Sequence, residues 1–171
     1  MRRGDPKKPS ASRSELNPGP RQMPPSGYDL RTCELSDINQ VGKVEKASFP
    51  DHPYSKLDFV SCLLTARDGF IIACKDGSVV GYVIATRRGQ EGSIQSIAVS
   101  PEFRRKGIGE MLLRSAINLL AGRCKTVHLL VDAKNDAAIR LYQRLSFRET
   151  GNVVERYYPN GDDAMEMVRE V

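Results

Sequence analysis

A chain of 171 residues, 40% of them hydrophobic, is the size of one ordinary domain with room for a real core. It carries 26 Lys and Arg against 21 Asp and Glu, but six of those basic residues and only two of the acidic ones fall within residues 1–27. Residues 28–171 are left with a net charge of +1, which argues against a nucleic-acid binder, and no run approaches the ~20 apolar residues of a membrane helix.

The first 27 residues also hold six of the ten prolines and almost no large apolar side chains. Such a composition cannot offset its ordering entropy, so the segment reads as a disordered, basic, Pro-rich extension. It has no apolar core of signal-peptide length. A solubilising role is the plain reading, and weak contact with RNA or an acidic surface is the alternative. Cys33, Cys62, Cys74 and Cys124 are scattered without a C-x-x-C spacing and read as buried thiols of a reducing, cytoplasmic setting. Two histidines, His52 and His128, make a zinc site unpromising.

Tyr28–Cys33 reads as a first strand. Ser36-Asp37 opens a helix carrying Ile38, Val41 and Val44, which the prolines of Phe49-Pro50-Asp51-His52-Pro53-Tyr54 stop. Ser55 caps a second helix. Phe70–Cys74 and Val79–Thr86 are apolar runs around Asp76-Gly77, a hairpin signal. Ser93–Val99 is the next strand. A helix follows, with Ile108, Leu112, Ala116 and Leu119 along one face. Thr126–Val131 is another strand, Asn135 to about Leu145 a helix, Phe147–Tyr157 a strand and Ala164–Val168 the last. The order βααβββαβαββ predicts an α/β (α+β) domain over residues 28–171, its mixed sheet carrying helices on both faces.

Between the strand Ser93–Val99 and its helix stands Arg104-Arg105-Lys106-Gly107-Ile108-Gly109. A strand, a basic glycine-containing turn and a helix N-terminus make an anion site, because the first N–H groups of a helix lack internal partners and lie at the positive end of its dipole. A Walker loop would need Lys-Ser/Thr where Glu110-Met111 stand, and a dinucleotide fingerprint a third glycine where Leu112 stands. Arg104-x-x-Gly107-x-Gly109 instead resembles the pyrophosphate-binding motif of the GCN5-related N-acetyltransferase (GNAT) superfamily. The stretch from Asn135 to Phe147 is similar to that superfamily's N-x-x-A-x-x-L-Y-x-x-x-G-F motif, with Ser146 where glycine is common. Tyr157-Tyr158-Pro159-Asn160-Gly161-Asp162-Asp163-Ala164 is similar to the Y-Y-x-x-G-E-D-A signature of N-terminal acetyltransferases, including the archaeal enzyme and the ribosomal-protein alanine acetyltransferase.

The resemblance implies the GNAT fold, with a mostly antiparallel sheet of about seven strands. It implies acetyl-CoA as cosubstrate, without a metal. Contacts to it would come from Ile97, Ala98 and Val99, from the turn Arg104, Arg105, Lys106, Gly107, Ile108, Gly109 and Glu110, and from Asn135. It makes Tyr142 the general acid that protonates the departing thiolate. Phe49, Pro50 and Tyr54 would wall the first substrate side chain while Tyr157 and Tyr158 hold the peptide backbone. The substrate would be the α-amino group of a protein N-terminus, acetylated directly in a ternary complex, with the ribosome as a candidate docking partner and neither nucleic acid nor membrane required.

The chain departs from its relatives at the base. Leu130 and Ser93 occupy the two positions where relatives carry a basic side chain or a tyrosine. His128, on the strand face of Leu130, or a water held by Ser93 or a backbone carbonyl, could substitute, although a core or surface role for His128 is the plainer reading. A weak base favours an α-amine of pKa near 7.7–8.0 over a lysine near 10.4, by roughly 3 kcal/mol. Acetylation of lysine or a small amine is the alternative, and a non-catalytic acetyl-CoA-binding module the second.

Overall fold

A computed structural model of the chain describes residues 27–171. The extension read as disordered therefore lies, Gly27 apart, outside the described residues. The elements run β1 (Asp29–Thr32), α1 (Ile38–Ser48), α2 (Lys56–Ala66), β2 (Phe70–Lys75), β3 (Ser78–Arg88), β4 (Glu91–Val99), α3 (Ile108–Leu120), β5 (Thr126–Asp132), α4 (Asp136–Arg144), β6 (Arg148–Val154) and β7 (Ala164–Glu170). This is the expected order, in one seven-stranded sheet of order β1-β2-β3-β4-β5-β7-β6.

Strands β1 to β4 form an antiparallel meander. Asp76 and Gly77 make its tight turn, both at positive φ (50° and 77°), as the twist of a two-residue hairpin demands. The one parallel contact joins β4 to β5, and β5, β7 and β6 are again antiparallel. The expected strand over Phe147–Tyr157 is shorter. The pairing with β7 shifts between Glu149 and Val153, β6 ends at Val154, and Arg156 turns back at φ 51°. A bulge with a left-handed residue after it breaks the ladder, so Tyr157 and Tyr158 sit in a loop.

The first helix opens with a 3-10 turn, Leu35–Asp37, rather than at Ser36. Asp37 accepts the N–H of Glu34 at 2.9 Å and is gripped by both terminal nitrogens of Arg31 at 2.6 and 2.7 Å. Ser55 caps α2 as expected, through the N–H of Asp58. Ser146, after α4, takes φ 63°, a conformation that costs an L-residue about 1 kcal/mol and accounts for glycine's frequency there.

Two apolar clusters lie on opposite faces of the sheet. One packs Ile108, Leu112, Leu113 and Ala116 of α3 and Tyr142 and Leu145 of α4 against Val83, Val127, Leu129 and Met167. The other packs Val41 and Val44 of α1 and Phe59 of α2 on Ile72, Tyr82 and Ala98. Helices α1 and α2 cover only β2 to β4 on their face. Over β5 to β7 no described element covers that face, and His128, Leu130 and Glu166 are partly exposed there.

Candidate active site

Strands β4 and β5 pair only through Glu91, Gly92, Ser93 and Ile94 and then part. The second half of β4 keeps β3 on one side and has no strand on the other. Ser100 gives its N–H to the Val80 carbonyl at 2.9 Å. By strand alternation the N–H groups of Val99 and Ile97 then point into the gap, while Ala98 turns its own toward β3. Of the three residues expected to line a ligand as an added strand, two present donors and Ala98 presents only its position.

The turn after β4 meets this gap at the start of α3. Gly107 stands at the N-cap with φ 80° and Arg105 at φ 60°, and no side chain caps the helix. The first helical bond runs from the N–H of Met111 to the Gly107 carbonyl, leaving those of Ile108, Gly109 and Glu110 without an internal acceptor. By contrast, Ser55 caps α2 and Asn135 caps α4, its Oδ1 accepting the N–H of Ala138 at 3.1 Å. An uncapped N-terminus after a basic turn suits a diphosphate, by geometry and by charge. A Cβ on Gly109 would meet Leu141 at 3.5 Å and Val99 at 3.8 Å, ordinary contacts, so protein packing does not demand a glycine there.

The basic side chains are less free than their positions suggest. Arg104 donates its Nε to the Val99 carbonyl at 3.0 Å, and Lys106 lies over the Phe103 ring at 5.0 Å. Glu110 pairs with Arg114 at 2.8 Å, one turn along the helix. Ile108 is buried in the core.

Tyr142 comes from α4, on the far side of the gap. Its ring is buried edge-on to Phe147, with centroids 5.9 Å apart. Its hydroxyl bonds no group among the described residues, and burial first, then nearby Tyr158, raises its pKa above the usual phenol value. A phenol so placed keeps its proton at neutral pH and has no competing acceptor. That is what a proton donor to a leaving thiolate needs.

Two segments close the other side of the gap, where the sequence reading puts the acceptor. The loop after β6 is tied over the start of α4 by Lys134 and Asp162, and by the N–H of Ala133 on the Asp163 carbonyl at 3.1 Å. It carries Tyr157 and Tyr158, T-shaped at 5.0 Å. The Tyr158 hydroxyl is pushed up to about 12 by burial first, then by Tyr157 and Asp132. The loop between α1 and α2 brings Phe49, half exposed, and Tyr54, whose pKa is raised by burial, then Cys62 and Tyr157. Tyr54, Tyr157, Tyr158 and Tyr142 thus form one neighbourhood at the end of β5, drawn from three separate parts of the chain.

Glu45 is the residue that sequence reasoning passed over. It is buried on α1, where the helical period gave it only a place beside Val44. It accepts the Tyr54 N–H at 2.9 Å and the Tyr82 hydroxyl, which also meets Ser96 at 2.9 Å. Burial raises its pKa. A charged residue on the apolar face of a helix was the available signal. It anchors the acceptor loop to the middle of the sheet.

The Acetyltransferase (GNAT) family model matches residues 31–147. The N-alpha-acetyltransferase of Sulfurisphaera tokodaii is 32% identical over 151 residues, spanning 80% of this chain and 89% of that one. Ard1 from Thermoplasma volcanium superposes with a TM-score of 0.80 at 27% identity, over 85% of this chain and 98% of that one. The ribosomal-protein-S18-alanine N-acetyltransferase from Escherichia coli does so at 0.75 and 28%, over 84% and 94%.

Proposed function

The chain belongs to the acetyltransferase (GNAT) family, and from that premise we propose that it transfers the acetyl group of acetyl-CoA to the α-amino group of protein N-termini. The observation that carries the substrate is the meeting of Tyr54 with Tyr157 and Tyr158 beside Tyr142. Phenol rings offer an apolar wall and a polar tip, the combination that grips an extended backbone. The names of the relatives, an N-alpha-acetyltransferase and a ribosomal-protein alanine acetyltransferase, point the same way.

The N–H groups of Ile108, Gly109 and Glu110 would hold the diphosphate of acetyl-CoA, with Arg104, Arg105 and Lys106 adding charge and Asn135 closing the far side. Val99 and Ile97 offer donors along the gap, one of which suits the oxyanion formed when the amine attacks the thioester carbonyl. Tyr142 then gives its proton to the thiolate. No covalent enzyme intermediate is required. The buried thiols have no role here: burial raises the pKa of Cys33 to about 12 and also lifts that of Cys74, so neither supplies a thiolate.

A panel of free N-terminal peptides, assayed for radiolabelled acetyl transfer beside N-blocked peptides containing lysine, tests the assignment. Labelling is expected in the free set. Faster labelling of the blocked set would move the substrate to lysine.

A further inference from the structure

The missing base on β5 has a counterpart across the sheet. Leu130 pairs with Glu166 of β7, and Ser93 of β4 with His128 of β5. All four side chains belong to the open face of the sheet. Side chains directly opposite on neighbouring strands lie about 5 Å apart, so Glu166 stands beside the place where relatives keep a base. Its Oε1 meets His128 Nδ1 at 3.1 Å, while Asn152 at 2.8 Å and the Thr150 hydroxyl at 2.9 Å donate to Oε2. These bonds, from Asn152 and Thr150 first and His128 after them, hold the carboxyl below the usual carboxylate range, so it is ionised.

An ionised carboxylate can only accept, so Nδ1 of His128 carries a proton, and in the neutral ring the lone pair is on Nε2. That lone pair meets the Thr126 hydroxyl at 3.1 Å. A carboxylate that fixes the tautomer of an imidazole and would stabilise its cation is the arrangement that makes histidine a proton acceptor. The pair borders a polar cleft of about 560 Å³ lined by Thr86, Arg88, Glu91, Ser93 and Gln95. His128 sits two residues before Leu130, about 7 Å along the strand, a distance that takes a chain of two waters to bridge.

Resting on the N-terminal reading above, we propose that Glu166 and His128 together replace the base absent at Leu130, with Glu166 orienting His128 and His128 taking the proton of the substrate ammonium. The N–H bond breaks, its electron pair stays on nitrogen, and the proton passes through water in the cleft to the Thr126 hydroxyl, which gives its own proton to Nε2. The imidazolium so formed is paired with Glu166. The freed amine forms the C–N bond, the C–S bond breaks, the Tyr142 proton goes to sulfur, and the second proton leaving nitrogen passes through water to the Tyr142 phenolate, which restores the phenol. An imidazole matches an α-amine far better than it matches a lysine.

The test is His128→Asn in the full chain, because asparagine can still donate to Glu166 but cannot take a proton. Its kcat/KM for a free N-terminal peptide should fall about tenfold at pH 7, where about a tenth of the α-amine is neutral, and the loss should fade by about pH 9, where the amine needs no acceptor. Arg88 and Glu91 are the other charged groups of the cleft, and they are unaltered in both enzymes, so the comparison with wild type cancels them. Glu166→Gln should show the same pattern more weakly, and covers the case in which the first variant does not fold. Wild-type rates at pH 7, or a loss of equal size at both pH values, would overturn the proposal while leaving the N-terminal assignment standing. A wild-type protein that labels no free N-terminus would overturn both.

Discussion

The two sides of the gap between β4 and β5 are built by different means. On the side assigned to the cofactor, the backbone does the work within a single stretch: β4, the turn with Gly107 at φ 80°, and the uncapped start of α3. On the acceptor side, side chains do it: Tyr54 from one loop, Tyr157 and Tyr158 from another, Tyr142 from α4, and Glu45 beneath. Main-chain donors are the same whatever residues carry them, so a constant group such as a diphosphate can be held by geometry alone. A variable partner such as a protein N-terminus needs side chains that can be exchanged without moving the backbone.

Tyr142→Phe gives the largest expected effect, because it strikes where the two sides meet. Turnover should fall by about 10²–10⁴-fold, the usual worth of a positioned proton donor. The hydroxyl has no partner to lose among the described residues, so the melting temperature should hold. Undiminished turnover would remove the general acid.

Glu45→Ala attacks the acceptor side from below. It strands the Tyr54 N–H and leaves the Tyr82 hydroxyl only Ser96, a cost of about 1–3 kcal/mol in denaturant unfolding. KM for peptide should rise more than that for acetyl-CoA; an equal rise in both would break the division. Glu45→Gln keeps both bonds and should act as a mild variant. Because burial raises the Glu45 pKa, its contribution to stability is present at low pH and lost as pH rises through the folded value. The glutamine variant should therefore gain on wild type as pH increases.

Gly109→Ala probes the cofactor side with the packing held constant. The added methyl meets only ordinary contacts, and alanine in place of glycine favours the helix by up to about 1 kcal/mol. The fold should become slightly more stable while coenzyme A binding, followed by calorimetry, weakens about tenfold or 1.4 kcal/mol. Unchanged affinity would mean that no ligand approaches this backbone closely.

The smallest expected effect is that of Asp37→Asn, at the far end of the helix that leads to the acceptor loop. Arg31 holds the Asp37 carboxyl below its usual range, so the stabilisation is present above about pH 3.9 and is lost as pH falls through the folded pKa. Arg31 is half in solvent, which limits the loss at neutral pH to about 1 kcal/mol. Chemical unfolding at pH 7 and below pH 3 should show the difference and then its disappearance.

Much of the molecule was legible in the chain because it is set over short distances. Asp76-Gly77 specifies its own turn, the spacing from Ile108 to Ala116 its own buried face, and Arg104 to Gly109 a strand-to-helix corner whose donors need no distant partner. Tyr142 was singled out by its motif, yet that its hydroxyl has no partner among the described residues depends on what the other elements leave uncovered. The same holds for Arg104 and Lys106, whose charges read as free in sequence but rest on Val99 and Phe103. Strand β6 was read as too long because its bulge is a mismatch with β7, which the residues of β6 alone do not encode.

What the sequence by itself determined is the order of elements and the basic, glycine-containing turn at the start of α3, with a leucine at position 130. What only the tertiary structure decided is that Glu166 lies across from that leucine with His128 in its grip, and that Glu45 is sealed beneath Tyr54. Local periodicity follows from 3.6 residues per helical turn and two per pleat, and each segment carries it alone. Cross-strand register and burial are properties of pairs 36 to 40 residues apart or of the whole packed domain, fixed only when every apolar face has found its partner.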